Sequence, residues 1–100
     1  MEEWAVQHGL PTNLRGKQLL LVDFEDDQAC AFFYPGRTHF SQNAFLVALA
    51  QFVRRRHGRT SRVTITPDQY QAWLLAEKLP DSEETRQKFI ESRYRVEALR

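Results

Sequence analysis

An α+β fold follows from three stretches of the 100-residue chain. Gln18–Phe24 (QLLLVDF) reads as a strand that is apolar on both faces. Phe40–Arg62 opens with a long apolar helix, and Arg62–Thr66 (RVTIT) is a short β-branched, alternating strand beyond it. A helix of that length between two strands implies a right-handed crossover and parallel pairing. The expected architecture is a small single domain over residues 1–100. Its sheet is short and mainly antiparallel, a two- or three-stranded meander plus one crossover strand, packed on a central helix and two C-terminal helices. With 42% apolar residues and 27% charged ones, the chain can fill a modest core without disulfides.

Each element has its own signal. Met1–His8 predicts a short helical turn that lays Trp4 on the core, ended by Gly9 and Pro11. LPTNLRGK reads as a loop, because Pro, Asn and Gly break any apolar period. Glu25, Asp26 and Asp27 stop the first strand. Gln28–Tyr34 reads as a second strand, with Cys30, Phe32 and Tyr34 on one face and a short acidic hairpin link before it. Pro35-Gly36 suits a type II turn, and Arg37–Phe40 a short edge strand. In the central helix Ser41 is the expected N-cap, Phe40 and Phe45 form a hydrophobic staple, and Ala44–Val53 is apolar nearly all round. Arg54, Arg55 and Arg56 complement the helix dipole in the last turn, and Gly58 is the expected left-handed C′ residue. Thr66 then caps a third helix, with Pro67 at N1, Gln69 closing a capping box, and Ile65 and Tyr70 as a staple. That helix continues to Leu79, where Pro80 forbids extension. Asp81 with Glu84 opens the last helix. Beyond Glu91, Tyr94, Val96 and Ala98 alternate as in a strand, but the abundance of Glu, Ala, Leu and Arg favours continued helix.

The net charge is only +1, yet its distribution is uneven. Residues 41–62 hold five arginines and no acid, whereas residues 1–40 hold six acids against three bases. Arginine forks match phosphates and carboxylates bidentately, so Arg54, Arg55, Arg56, Arg59 and Arg62 predict a non-catalytic binding module for an anionic partner, a nucleic acid or an acidic protein. Helix-dipole chemistry accounts for the first three, which leaves Arg59 and Arg62 as the charges most in need of a partner. An alternative is protein–protein or homodimeric assembly through the apolar helix Tyr70–Leu79, with Tyr70, Trp73 and Leu74 at the interface. A third is a metal-dependent enzyme built on Asp23, Glu25, Asp26 and Asp27. His8, His39 and His57 do not stand at metal-ligand spacing, and Cys30, among Ala and Phe, reads as a buried inert thiol. No catalysis, cofactor or bound metal is therefore expected. One cysteine, acids at the N-terminus, and no apolar run near the ~18 residues of a membrane span predict a cytoplasmic protein without a membrane partner.

From Arg62 onward, the strand RVTIT, Pro67, a helix, a break and a second capped helix resemble the ribbon-helix-helix family of DNA-binding dimers. The resemblance implies that Arg62, Thr64 and Thr66 face a major groove. The polar run Ser82–Lys88 departs from the apolar residues that the family places after its second helix starts. The order helix, strands, helix, strand is also similar to restriction-endonuclease-like cores. Their Glu-x-Lys has no counterpart here, since neither Glu nor Lys occurs between Gln28 and Gln51.

Overall fold

The computed structural model describes residues 1–99. Eight elements succeed one another: α1 (Glu2–Gln7), β1 (Lys17–Phe24), α2 (Asp27–Phe33), α3 (His39–Arg55), β2 (Arg59–Ile65), α4 (Pro67–Glu77), α5 (Glu83–Arg93) and β3 (Arg95–Ala98). The α+β class holds. The sheet is mixed, in the order β2-β1-β3, with β1 in the centre. β2 lies parallel to it, Val22 opposite Val63, and β3 antiparallel, Leu19 opposite Val96.

Both faces of β1 are covered, as its unbroken apolar run demands. Leu19 and Leu21 pack beneath α3 against Leu46, Leu49 and Val53, with Ala5, Leu10 and Leu14 closing that side. Val22 and Phe24 point the other way, into a cluster with Phe33, Tyr70, Phe89 and Ile90 from α2, α4 and α5. The parallel pairing of β1 with β2 across α3 is as expected, and α1 sets a half-buried Trp4 against Phe45 and Tyr94. Thr66 caps α4 in a capping box with Gln69, and Pro67 opens the first turn.

Several local expectations are corrected. Gln28–Tyr34 is not a strand: Asp26 Oδ1 accepts the Ala29 N–H at 2.8 Å and starts a helix that buries Ala29, Cys30 and Phe33 along one stripe. The meander therefore does not form. Arg37–Phe40 is not an edge strand either, because Thr38, not Ser41, is the N-cap of α3 and accepts the Ser41 N–H at 3.0 Å. Phe40 then falls in the first helical turn, 82% exposed, and makes no staple. The left-handed residue after α3 is His57 (φ 67°), not Gly58. Gly58 is needed for space: a Cβ there would stand 2.6 Å from Leu14 Cβ. At the end of α4, Lys78 is left-handed (φ 55°), so the helix stops before Leu79. Ser82, not Asp81, caps α5, with Thr85 completing the box. Tyr94 turns extended, and the residues expected to prolong the helix instead form β3, since pairing with β1 outweighs local helix propensity.

Released from capping, Asp81 holds the α4–α5 corner together. Its carboxylate accepts Tyr70 Oη at 2.7 Å and Arg86 Nε and Nη2 at 2.9 Å each. Arg86 first, then Tyr70, holds the Asp81 carboxyl down to about 2 from an ordinary 3.8. A depressed folded-state value contributes stability above the unfolded value and loses it as pH falls through the folded one. Thermal melts of the parent should therefore weaken between about pH 4 and pH 2, and Asp81→Asn should flatten that decline relative to the parent. Parallel pH profiles for the two proteins would contradict the assignment. No helix among the described residues is long and apolar enough to cross a membrane.

Candidate anion-recognition surface

A parallel crossover returns the C-terminal end of α3 to the end of the sheet where β1 and β2 both begin. The Leu14 N–H donates to Arg56 O at 2.8 Å and the Gly58 N–H to Val53 O at 3.0 Å, which seats the basic segment against the loop before β1. Arg54, Arg55 and Arg59 are exposed there, with Arg15 exposed in the adjoining loop and Lys17 opening β1. None of these five has a carboxylate within ion-pair distance among the described residues. Arg54 and Arg55, with Gln51, border a shallow hollow of about 370 Å³. Arg59, opposite Gln18 in the register, lies on the side of the sheet away from α3, so the basic surface wraps an end of the molecule.

The other two arginines are structural. Arg56 stacks over Phe52 at 4.2 Å, donates from Nη2 to both Glu2 carboxylate oxygens at 2.8 and 3.0 Å, and from Nη1 to Pro11 O at 3.2 Å. It ties α1 and its loop to α3. Arg62 Nη1 donates to Asn43 Oδ1 at 2.7 Å and to Asp23 Oδ2 at 3.3 Å, on the α3 side of the sheet. Of Arg59 and Arg62, Arg59 has no carboxylate partner among the described residues and Arg62 has Asp23. The same geometry corrects the expectation that Arg62, Thr64 and Thr66 face a groove: Arg62 is paired beneath α3, Thr64 shares its side, and Thr66 is a helix cap.

Asp23, Glu25, Asp26, Asp27 and Asp68 lie where β1 and β2 finish, whereas Glu2 and Glu97 lie at the other end. Asp26 caps α2, Asp27 Oδ1 accepts the His39 N–H at 2.6 Å, and Asp23 faces Arg62 and, at 3.5 Å, His39 Nε2. Glu25 and, in the first turn of α4, Asp68 are exposed at the same end. The acidic turn, proposed from sequence as a metal centre, does not gather its carboxylates: no group of three candidate ligands exists among the described residues.

Tyr70 is fully buried and Leu74 nearly so, and both belong to the core. Trp73 is half-buried, its ring 6.2 Å from that of Tyr70 and 5.4 Å from that of Phe89. The apolar side chains that α4 and its end present outward are Leu75, 81% exposed, and Leu79. Leu75 was not distinguishable in sequence from its buried neighbour. Cys30 is buried, and burial pushes its thiol up, away from the reactive thiolate. No protein-family model, curated protein or solved structure matches this chain.

Proposed function

We propose that the protein is a non-catalytic binding module that recognises an anionic partner, nucleic acid or an acidic protein surface, through the basic end of its sheet. What supports the reading is that Arg54, Arg55 and Arg59 are exposed and have no carboxylate partner among the described residues, at the end of the sheet away from Asp23 to Asp27. Arg56 and Arg62 serve this surface indirectly, by holding the segment that carries it. A cytoplasmic setting goes with this reading and is supported by the lone, buried Cys30.

The test is a salt titration of binding to a short DNA duplex, an RNA hairpin and polyglutamate, followed by fluorescence anisotropy. The combined variant Arg54→Gln, Arg55→Gln, Arg59→Gln should lower the log–log salt slope on duplex DNA by about 2.7, at ~0.9 per phosphate contact. Arg56→Gln should leave the slope unchanged while lowering stability. Absence of binding to all three polyanions at low salt, or an unchanged slope in the combined variant, would sink the proposal. Exposed Leu75 and Leu79 favour a second reading, assembly through α4. There a concentration-dependent sedimenting mass should vanish in Leu75→Ser.

A further inference from the structure

Away from the basic end, four aromatic side chains from four parts of the chain converge on one cleft. Trp4 comes from α1, Tyr34 from the end of α2, Phe45 from α3 and Tyr94 from the end of α5. The Trp4 ring meets Phe45 edge-on at 6.1 Å and Tyr94 at 5.2 Å. His8 stacks on the Trp4 ring at 3.9 Å, and the open cleft that these side chains border has a volume of about 220 Å³. That is below the ~300–1,000 Å³ typical of drug-sized sites and suits a single ring with a short substituent.

A half-buried cation, Arg37, stands in this wall. Its guanidinium lies 4.4 Å from the Tyr34 ring centroid and 5.9 Å from that of Phe45. Nη1 donates to Gln42 Oε1 at 3.0 Å, and Gln42, fully buried, is anchored in turn by donating from Nε2 to Val22 O at 2.9 Å. No carboxylate among the described residues pairs with Arg37. A guanidinium has five N–H donors, so most of this one's capacity is left open while two rings hold it in place. Removing a cation partly from water without a counter-ion is unfavourable, and an arriving carboxylate would relieve it bidentately.

We propose that the cleft between α1 and the end of α5 binds a small aromatic carboxylate, its ring in the space bordered by Trp4, Phe45 and Tyr94 and its carboxylate on Arg37. Arg37 itself covers the Tyr34 and Phe45 ring faces, which excludes a quaternary ammonium from that position. The Tyr94 hydroxyl accepts from Gln42 Nε2 at 3.5 Å and keeps its own proton to donate. Burial holds both tyrosines in the neutral form, Tyr94 at about 12 and Tyr34 higher still, so neither competes as an anion. Glu91 stands at the same cleft and is exposed. It would receive the ammonium of an aromatic amino acid, one of two sources of the same ring-and-carboxylate chemistry.

An NMR titration of the ¹⁵N-labelled protein tests this with phenylacetate, phenylacetamide and L-phenylalanine, each to about 10 mM. Phenylacetate should give a saturable shift of the Trp4 indole N–H but not of Trp73. The uncharged amide should bind about tenfold more weakly or worse, because it lacks the charge-assisted contact. In Arg37→Gln, phenylacetate should fall to the affinity of the amide, whose own binding should not change. If that variant fails to fold, the comparison of acid with amide on the parent protein still decides. Tighter binding of phenylalanine than of phenylacetate identifies an amino-acid ligand, and its loss in Glu91→Gln assigns the ammonium contact; weaker binding identifies a simple carboxylate. No saturable Trp4 shift with any of the three, or equal affinity for acid and amide, overturns the proposal.

Discussion

Phe33→Ala should cost about 3–5 kcal/mol of stability, the largest single-residue loss expected in this molecule. Phe33 is 1% exposed and is the hub of the aromatic cluster. Its ring stacks near-parallel on Phe24 at 5.4 Å and Phe89 at 6.0 Å, and meets Phe32 and Tyr70 edge-on at 5.0 and 5.7 Å. Truncation removes the ring's burial and leaves a cavity whose walls are themselves large rings, unable to collapse inward. Ordinary domains have only ~5–15 kcal/mol in total. At ~4–8 °C per kcal/mol for a domain of this size, the melting midpoint should fall by roughly 12–40 °C. Phe33→Leu, which keeps apolar bulk without the ring contacts, should recover part of the loss. A deficit under ~1 kcal/mol in urea denaturation of Phe33→Ala would show that α2 does not seat this ring in the core.

Gly58→Ala should destabilise by about 1–3 kcal/mol, for a reason that has nothing to do with backbone dihedrals. The added methyl would sit 2.6 Å from Leu14 Cβ and 2.9 Å from Val53 Cγ1, and both neighbours are fully buried. Leu14 Cβ cannot swing aside, because the Leu14 N–H is tied to Arg56 O at 2.8 Å. Relief therefore requires the loop before β1 to move away from the end of α3. Val53→Ala makes room on one side, so the double variant should be less destabilised than the sum of the two single changes, a coupling that two independent sites would not show. Strict additivity would mean that the close approach does not exist. Because the same loop carries Arg15 and abuts Arg54–Arg56, Gly58→Ala should also perturb the amide resonances of the basic segment.

The parts of this fold legible in sequence were those whose signal was local. QLLLVDF needed two covered faces and has them; RVTIT needed sheet neighbours; Thr66-Pro67-x-Gln69 announced a helix start through backbone donors that side chains three residues apart can satisfy. Gln28–Tyr34 failed because a seven-residue apolar run is too short for its period to separate helix from strand. Asp26 ahead of Ala29, and Pro35-Gly36 behind, were the cap and stop signals that would have corrected it. Tyr94–Ala98 failed for the opposite reason. Its alternation was visible, but the partner that makes a strand of it is Lys17–Leu20, far away in sequence. The candidate sites divide in the same way. The arginines were visible as a run, whereas which of them are neutralised depends on Glu2 and Asp23, supplied by other elements. The Arg37 cleft, drawn from four elements, had no local signature at all.

The strand order carries a consequence for synthesis. β1 is the most apolar strand, and both of its neighbours come later in the chain: β2 after the whole of α2 and α3, and β3 only after α4 and α5. At ~5–20 residues per second, a growing chain leaves Leu19–Phe24 without its last partner strand for several seconds. No hairpin can shield it early, since neither pairing is local. Ribosome-bound chains arrested before β3 should be sticky and protease-sensitive. The acids that follow the strand directly, Glu25 to Asp27, are placed to keep that interval from ending in aggregation.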